Sequence, residues 1–399
     1  RALQHMGEKQ FKRNTDQTQR DIIMAKITST MVRYGQLEQA LKLAAPAAER
    51  SRKYTTQADW SAGLAAWQLG ETVIARHHFE AVMRSHRSND VQVASSAVWS
   101  ARAALASRQP QDVNRLLAVA ATYPRNFYGQ IALRQLGAQS PFSWTHPPLD
   151  NHAIERLKND PAISRTVALK QVGQVGWASK EIRRLFPTVH AEDRVAVLSL
   201  AANIGIPSAE LSLARAVLGR EGQAYDTALY PLPPWKPVAG FTVDRALVYA
   251  FMCQESAFKP NAKSVDGARG LMQLMPPTAK YVARKHRWRY SRTRLTRDPD
   301  YNSRLGTAYL AELLDQYKGS YIMALAAYNA GTPRVKRWVR DYGDPRKPDV
   351  DPIDWVEMIS ISETRNYVQR IMEGLQVYRQ RLAGFDQKTR LALLRDLNR

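Results

Sequence analysis

Small apolar residues recur at helical spacing through residues 1–140 of the chain. Ala, Leu and Val lie three or four positions apart, and short polar breaks separate the apolar segments. This period places the apolar side chains on one face of each helix. Turn residues stand near Gly35, near Gly70 and between Ser107 and Asp112. The pattern predicts short helices that are joined by tight turns.

The same turn-then-helix pattern recurs at wider intervals. Gly35 and Gly70 each precede an Ala-bearing segment, and Gly173 and Gly205 do so further along the chain. Helix pairs of the tetratricopeptide type show such a repeat, with a period of about 34 residues, and stacked pairs form a superhelix. We therefore predict an α-superhelical domain over residues 1–140, with a plain helical bundle as the alternative.

Prolines mark two interruptions of the helical sequence. Pro141, Pro147 and Pro148 follow the first block, and Tyr230 to Pro237 contains four prolines. Proline removes a backbone donor and blocks helix formation, so both segments are predicted boundaries. Few segments alternate as strands do. The prediction is an all-α fold with a helical linker domain over 141–237, a third domain over 238–386 and a tail over 387–399.

An acid ends the apolar run at the start of the third domain. The run Ala246–Cys253 is followed closely by Glu255. If a helix begins after Asp244, helical spacing puts Glu255 on a stripe with apolar residues: Leu247, Phe251 and Phe258. Burial and the negative end of the helix dipole both favour a protonated carboxyl group and raise its pKa. The pattern predicts a proton donor, with an exposed acid at a frayed helix end as the alternative.

A glycine-containing loop and a further helical segment follow the acid. Residues 261–270 have the Asp-Gly pair and spaced glycines of a tight loop. Helical sequence is predicted to restart at Leu271 and to continue through Pro276 and Pro277. A loop of this composition is able to fold back over the acid.

Several motifs resemble those of soluble lytic transglycosylases, which belong to the lysozyme-like superfamily. They occur in the family's order and are Gln-Glu-Ser-x-Phe at 254–258, the loop with Ser264, Gly-Leu-Met-Gln-Leu-Met-Pro at 270–276 and Ala-Tyr-Asn-Ala-Gly at 327–331. Glu-Thr-Arg-x-Tyr-Val at 363–368 resembles a further family element, and Phe-Tyr-Gly at 127–129 resembles the segment before the family's linker domain. The resemblance is strongest over residues 241–380.

The resemblance implies a superhelical arm, a helical linker and a lysozyme-like catalytic domain. It also implies that Glu255 is the single catalytic acid and base. Glu255 would protonate the oxygen that leaves N-acetylmuramic acid and then take the proton of that sugar's own 6-hydroxyl, which leaves a 1,6-anhydro end on peptidoglycan. Six further residues map to positions that line the family's sugar groove: Ser264, Gln273, Tyr328, Asn329, Glu363 and Tyr367.

These residues also have plain structural interpretations. Ser264 stands in a loop of turn-forming residues, Asn329 suits a helix C-cap before Gly331, and Gln273 suits a polar position on a Met-rich helix. Helix capping accounts equally for Asp300 or Asn302.

Glu363 is a second acid and leaves three interpretations open. It is the base for water if the protein is a hydrolysing muramidase. It alternatively pairs with Arg365 or Arg370, or binds a sugar. The transglycosylase motifs favour a supporting role.

The charge of the chain predicts an anionic partner. The 58 Lys and Arg against 36 Asp and Glu give a net charge of +22, which attracts nucleic acid, anionic lipid or a carboxylate-rich wall polymer. Nucleic acid is disfavoured because zinc-knuckle, phosphate-binding and ribonucleoprotein motifs are missing. We predict peptidoglycan glycan strands as the partner, with cell-wall proteins on the helical arm. A peptidoglycan-binding scaffold with a vestigial site is the alternative from another class.

The resemblance implies a protein of the bacterial periplasm, and the remaining features predict no cofactor. Cys253 is the single cysteine, which excludes an internal disulfide, and is predicted as a small buried hydrophobe. Apolar stretches fall short of the roughly 20 residues that span a bilayer. The chain begins with Arg1 and shows no signal peptide, which indicates either that a signal peptide has been removed by processing or that the chain is trimmed. Neither a cofactor nor a metal is predicted, since a calcium loop needs more oxygen ligands.

Overall fold

The structure is a computed structural model that describes Met6 and residues 13–149, 151–235, 240–383 and 392–399. Regular secondary structure in these ranges is helical, apart from the isolated bridges Lys263 to Arg269 and Arg269 to Leu274. The predicted all-α class is confirmed over the described ranges. None of the helices described there has both the length and the apolar character that crossing a membrane requires.

The helices follow one another with short connections. The first block contains α1 (Gln17–Arg33), α2 (Leu37–Ser51), α3 (Gln57–Gln68), α4 (Thr72–Arg84), α5 (Asp90–Ala106), α6 (Val113–Ala121) and α7 (Phe127–Gln135). The second contains α8 (Asn151–Leu157), α9 (Pro161–Gln171), α10 (Val175–Leu185), α11 (Arg194–Asn203), α12 (Pro207–Glu221) and α13 (Asp226–Leu229). The rest are α14 (Arg245–Ser256), α15 (Pro276–Lys285), α16 (Arg294–Arg297), α17 (Pro299–Gln316), α18 (Tyr321–Ala330), α19 (Thr332–Tyr342), α20 (Pro352–Met358), α21 (Ser362–Ala383) and α22 (Leu393–Leu397).

The chain divides into two compact units. The first consists of Arg1–Ser140, Leu325–Glu373 and Arg390–Arg399, and the second of Pro141–Ala324 and Gly374–Thr389. The predicted linker Tyr230 to Pro237 has no helix from Tyr230 to Trp235. Its last two residues, and residues 387–391 of the predicted tail, lie outside the described residues.

In the first unit, α1 to α7 form the predicted helical array. Each of these helices packs against the next one along the chain, and the contacts are made largely by alanines that are fully buried, such as Ala44 and Ala62. Gly35 and Gly70, the glycines of two predicted turns, have φ angles of +75° and +79°. These are left-handed conformations that glycine adopts without strain. The array is therefore set by small side chains at the contacts and glycines at the turns.

A buried charge cluster links this array to α20 and α21 within the first unit. Glu357 is 4% exposed, and its Oε1 lies 3.6 Å from Arg33 Nη2 and 3.3 Å from Arg365 Nε. Tyr128 Oη donates a hydrogen bond of 2.8 Å to Glu357 Oε2, and Gln369 Nε2 lies 3.3 Å from the same oxygen. Buried charges require such partners, because each one loses its hydration.

A second contact of the same kind lies nearby in the first unit. The Arg102 guanidinium lies over the rings of Trp67 and Trp99, 4.9 and 4.5 Å from their centroids. Arg102 also pairs with Asp354 at 2.6 Å, and Trp67 Nε1 donates to the same carboxylate at 3.1 Å. Burial raises the pKa of Asp354, and the positive charge of Arg102 opposes this shift. The array thus holds α20 through both stacking and ion pairing.

The second unit has a core between α10, α11 and α12. Ile182, Val197, Leu198 and Val217 are fully buried there. The same unit contains α14, where Cys253 is partly buried rather than fully buried as predicted. Its neighbour Gln254 is exposed, so Cys253 lies at the edge of the buried helix face.

Candidate active site

Helix α14 carries Glu255 in its last turn. The helix begins after Asp244, as predicted, and the Asp244 carboxylate accepts a hydrogen bond of 2.9 Å from the Ala246 N–H. Leu247 and Phe251 are fully buried on this helix. Glu255 is partly buried and lies one residue before the end of the helix. The carboxyl group is therefore presented at the end of a helix that the core holds in place.

Two residues in the left-handed region end α14. Ala257 has φ +48° and Phe258 has φ +59°, which is unfavourable for residues with a Cβ. The fully buried Phe258 ring compensates for this strain. The predicted stripe assumed a helix that continues through Phe258, and this part of the prediction is wrong, because the chain reverses at Ala257. Strained backbone of this kind is often found at functional sites.

Ser256 ties the end of α14 to the chain that follows. Its hydroxyl lies 3.0 Å from the Met252 carbonyl oxygen and 2.9 Å from the Leu271 carbonyl oxygen. Ser256 is buried, so these hydrogen bonds are shielded from water. The residue next to Glu255 thereby fixes the helix end against the turn that contains Gln273.

The predicted helix restart at Leu271 is wrong. Residues 270–273 form a turn that leads into the bridge at Leu274, and α15 begins only at Pro276. Gln273 has φ +43° and its Nε2 donates a hydrogen bond of 2.8 Å to the Gly270 carbonyl. Gln273 is partly buried. It is therefore a residue of a strained turn and not a polar position on a helix.

Asn302 holds this turn and was predicted only as a helix cap. It is fully buried, and its Oδ1 accepts a hydrogen bond of 2.9 Å from the Met272 N–H. Its Nδ2 donates to the carbonyls of Arg269 and Leu295 at 2.9 and 3.0 Å. The N-cap of α17 is instead Asp298, which accepts from the Tyr301 N–H at 2.9 Å. An amide on the buried face of a helix is the sequence feature that indicates such a clamp, since a buried amide requires partners.

Two glycines allow the turn to approach α16 and α17. A Cβ on Gly270 would lie 2.1 Å from the Leu295 carbonyl oxygen, and one on Gly306 would lie 2.4 Å from Met272 Sδ. Gly270 also has φ +79°. Neither position accommodates a side chain without displacing the turn.

Ser264 is an exposed residue of the intervening loop. Its Oγ accepts a hydrogen bond of 3.0 Å from the Ala268 N–H, and its carbonyl accepts one of 3.1 Å from the Gly267 N–H. These are the contacts of a turn former, which was one of its two predicted roles. The exposed hydroxyl is also accessible to a ligand.

Tyr328 and Asn329 lie at the end of α18, in the first unit. Asn329 Oδ1 accepts a hydrogen bond of 2.6 Å from the hydroxyl of Thr364, which is buried. Thr364 had no predicted role. The Gly331 N–H donates to the Ala327 carbonyl at 2.8 Å, so the helix end is closed by backbone. The Asn329 side chain therefore connects α18 to α21, and both Asn329 and Tyr328 are partly buried.

Glu363 and Tyr367 lie one turn apart on α21, also in the first unit. Tyr367 is buried and Glu363 is exposed in the first turn of the helix. An acid at this position interacts favourably with the helix dipole. The two arginines considered as partners pair elsewhere, Arg365 with Glu357 and Arg370 with Glu373, both at 3.3 Å.

The predicted site residues therefore form two sets. Glu255, Ser264 and Gln273 belong to the second unit, where the Ser256 hydroxyl and the two isolated bridges connect the segments that carry them. Tyr328, Asn329, Glu363 and Tyr367 belong to the first unit, where Thr364 connects α18 and α21. The described residues contain no group of three or more His, Cys, Asp or Glu side chains that is suited to a metal ion.

Comparison with known proteins points to one family. Residues 236–349 match the family model of the transglycosylase SLT domain. The soluble lytic murein transglycosylase of Escherichia coli is 36% identical over 142 residues, which are 35% of this chain and 21% of that protein. The putative soluble lytic murein transglycosylase of Haemophilus influenzae is 30% identical over 254 residues, 62% of this chain and 41% of that protein. The chain thus spans less than half the length of these curated relatives.

Solved structures show the same fold over most of the chain. An inactive mutant of the lytic transglycosylase Slt from Pseudomonas aeruginosa superposes with a TM-score of 0.75 at 24% identity, over 92% of this chain and 58% of that one. The 70-kDa soluble lytic transglycosylase of Escherichia coli gives a TM-score of 0.63 at 21% identity, over 93% and 63%. These matches show that the chain shares the fold of those proteins.

Proposed function

Because this chain carries a transglycosylase SLT domain, we propose that it is a lytic transglycosylase acting on peptidoglycan. The reaction is cleavage of the β-1,4 bond between N-acetylmuramic acid and N-acetylglucosamine without water. The observation that carries the proposal is the position of Glu255 at the strained end of the buried helix α14. Ser256 fixes that end against the Gln273 turn, which keeps the acid in a defined place.

One carboxyl group suffices for this reaction. Glu255 donates its proton to the oxygen of the bond between the two sugars as that bond to the anomeric carbon breaks. The 6-hydroxyl oxygen of the same muramic acid then bonds to the anomeric carbon, and its proton returns to Glu255. The attacking hydroxyl is already tethered, so a high effective molarity replaces an activated water. Glycosidases that use water need a second carboxyl group instead.

The other predicted residues are proposed to bind the glycan. Ser264 and Gln273 offer an exposed hydroxyl and a positioned amide in the second unit. Tyr328, Asn329, Glu363 and Tyr367 offer hydroxyl, amide and carboxylate groups in the first. We propose residues 238–386 as the catalytic domain, 1–140 as the superhelical arm and 141–237 as the linker domain.

The substrate places the proposed activity in the periplasm. The net charge of +22 favours a polymer that carries carboxylates, and the helical arm offers a surface for cell-wall proteins. These assignments follow from the proposed substrate.

Mass spectrometry of the products released from purified sacculi tests the proposal. Anhydromuramic ends are lighter by one water than reducing ends, and we expect them to dominate. Reducing ends as the main product would show that the protein is a hydrolysing muramidase and not a transglycosylase. Binding to sacculi without any released product would show that the protein is a peptidoglycan-binding scaffold with a vestigial site.

A further inference from the structure

A pocket with two indole rings lies in the second unit, outside the residues proposed for catalysis. It has a volume of about 420 Å³ and is lined by Trp177, Lys180, Trp235, Asn261 and Arg297, among others. Trp177 is 61% exposed. Two large aromatic side chains on one solvent-filled cavity are unlike the scattered exposed apolar residues of an ordinary surface. The combination is typical of a ligand site.

Four chain segments that are distant in sequence build this pocket, among them the one that carries Trp235. The turn before α10 and α10 itself supply Trp177 and Lys180, and the chain after α14 supplies Asn261. The end of α16 supplies Arg297. A Cβ on Gly176 would lie 3.4 Å from Asn261 Nδ2, so the first two segments approach closely. The walls of the pocket are therefore continuous with the segments that follow Glu255 and precede the Asn302 clamp.

The charge of the pocket is positive. Lys180 Nζ lies 4.4 Å from the centroid of the Trp177 ring, a cation–π distance that leaves the ammonium exposed to solvent. Arg297 is exposed on the opposite chain segment. The lining residues include no Asp or Glu, and neither cation pairs with a carboxylate within the described ranges. An anionic ligand would therefore meet two cations and no carboxylate among the lining residues.

We propose that this pocket is an accessory carbohydrate site for an N-acetylated sugar that bears a carboxylate. A pyranose ring stacks its C–H face on the Trp177 indole, whose large flat surface is well suited to this contact. Lys180 and Arg297 hold the carboxylate, and the Asn261 amide bonds the acetamido group. The identity of the polymer rests on the proposed function, since muramic acid carries an acetamido group and, where its stem peptide is absent, a free lactyl carboxylate.

Fluorine NMR on the full chain tests the site directly. The probe ligand is the peptide-free disaccharide of N-acetylglucosamine and N-acetylmuramic acid, which keeps the lactyl carboxylate, and the protein is labelled with 5-fluorotryptophan and carries Glu255→Gln to prevent turnover. The Trp177 signal is assigned by its loss in Trp177→Phe. We expect the Trp177 signal to shift on titration. Binding detected by calorimetry without a shift of this signal would overturn the proposal.

Affinity measurements separate the two parts of the recognition. We expect Trp177→Ala to weaken binding of the peptide-free disaccharide at this site by about tenfold, a typical effect for an aromatic anchor. Lys180→Gln with Arg297→Gln should weaken it similarly but leave a neutral N-acetylglucosamine tetramer unaffected. Free tetrapeptide that shifts the Trp177 signal as strongly as the disaccharide would show a peptide site and overturn the sugar contact.

A matched control lies in the first unit. Tyr54 is 51% exposed, and Lys53 Nζ lies 4.9 Å from its ring, so Tyr54→Ala and Lys53→Gln remove an exposed aromatic ring and a neighbouring lysine charge outside the pocket. These variants should bind as the parent does. Equal losses of affinity in the control and pocket variants would overturn the proposal, because they would show a non-specific effect of charge or aromatic surface. These binding measurements do not depend on which products the wild type releases. A failure of the transglycosylase assignment, which product analysis detects, is therefore distinguishable from a failure of the accessory site.

Discussion

The side-chain oxygen of Asn302 accepts a hydrogen bond of 2.9 Å from the backbone N–H of Met272. The same side chain donates to the Arg269 and Leu295 carbonyls, so both of its amide protons are used. One buried residue of α17 thereby fixes the turn that contains Gln273. Since Ser256 joins that turn to the end of α14, the Asn302 contacts also support the chain around Glu255.

Replacing Asn302 should destabilise the second unit. We predict that Asn302→Ala lowers the free energy of unfolding by about 3 kcal/mol, because a buried N–H and two buried carbonyls lose their partner. Asn302→Asp should be at least as harmful, since a carboxylate would face the two carbonyls. Urea denaturation measures both.

Asn203→Ala is the control for this prediction. Asn203 is exposed at the end of α11 in the same unit, and its side chain donates a hydrogen bond of 3.2 Å to the Ser199 hydroxyl. Its loss should cost less than about 1 kcal/mol. Similar losses of unfolding free energy in Asn302→Ala and Asn203→Ala would contradict the proposal that the Asn302 side chain stabilises the turn.

Glu357 supports a second prediction, on the stability of the first unit. Burial lowers the pKa of Arg33 to about 10, and the positive charge of Arg365 adds to this shift while Glu357 opposes it. Glu357→Gln would leave both guanidinium groups without their buried counter-charge. We expect a loss of about 3–5 kcal/mol in the free energy of unfolding, the range for breaking a buried ion pair.

The exposed Glu38 on α2 is the matched control. Glu38→Gln should change the free energy of unfolding by less than about 0.5 kcal/mol. In a double-mutant cycle, Arg33→Met should recover part of the loss in Glu357→Gln. Additive losses would show that Glu357 does not act through Arg33.

Glu210 makes the stability of the second unit depend on pH. It is buried on α12, and burial raises its pKa from 4.5 to about 7, although the positive charge of Arg381 opposes this. The folded state therefore binds a proton more tightly than the unfolded state does. This contribution is fully present below about pH 4.5 and is lost as pH rises through about 7.

The comparison with Glu210→Gln isolates this effect. At about 1.4 kcal/mol per pKa unit, the wild type should lose about 3 kcal/mol relative to the variant between pH 4.5 and pH 8. Denaturation curves at several pH values measure the difference. Glu192→Gln, at an exposed acid of the same unit, should run parallel to the wild type. A Glu210→Gln curve that also runs parallel would refute the assignment.

Local sequence patterns predicted the helices well because their causes are local. The start of α14 follows from Asp244 as a cap, and the array turns follow from glycines at left-handed positions. The end of α14 and the turn at residues 270–273 were predicted incorrectly. Burial of Phe258 stabilises a left-handed turn there, and Asn302 supplies hydrogen bonds from 30 residues away. Neither contact is visible in a local window of sequence.

The contacts that position the candidate site residues could likewise not be predicted from the sequence. The Thr364 hydroxyl donates a hydrogen bond to Asn329, which lies 35 residues earlier in the chain. No helical or strand periodicity relates two positions so far apart in sequence, so the sequence pattern could not predict this contact. The motifs identified Glu255 and the six further residues through resemblance. Only the structure identifies the residues that support them, namely Ser256, Asn302 and Thr364.

The last prediction concerns Glu255 itself. Glu255→Gln is nearly isosteric, so the fold and glycan binding should persist. The amide cannot donate and recover the proton, so turnover should fall by at least the roughly 10²- to 10⁴-fold that general acid–base catalysis contributes. Release of anhydromuropeptides from sacculi measures the rate, and thermal unfolding checks the fold.

Glu363→Gln separates the two possible reactions. If Glu363 only supports glycan binding, its loss should be much milder than that of Glu255 and should act mainly on KM. If Glu363 activates a water, both substitutions should be comparably damaging, and the wild type should release reducing ends. Undiminished activity in Glu255→Gln would rule out both reactions, because each of them requires Glu255 to protonate the leaving oxygen.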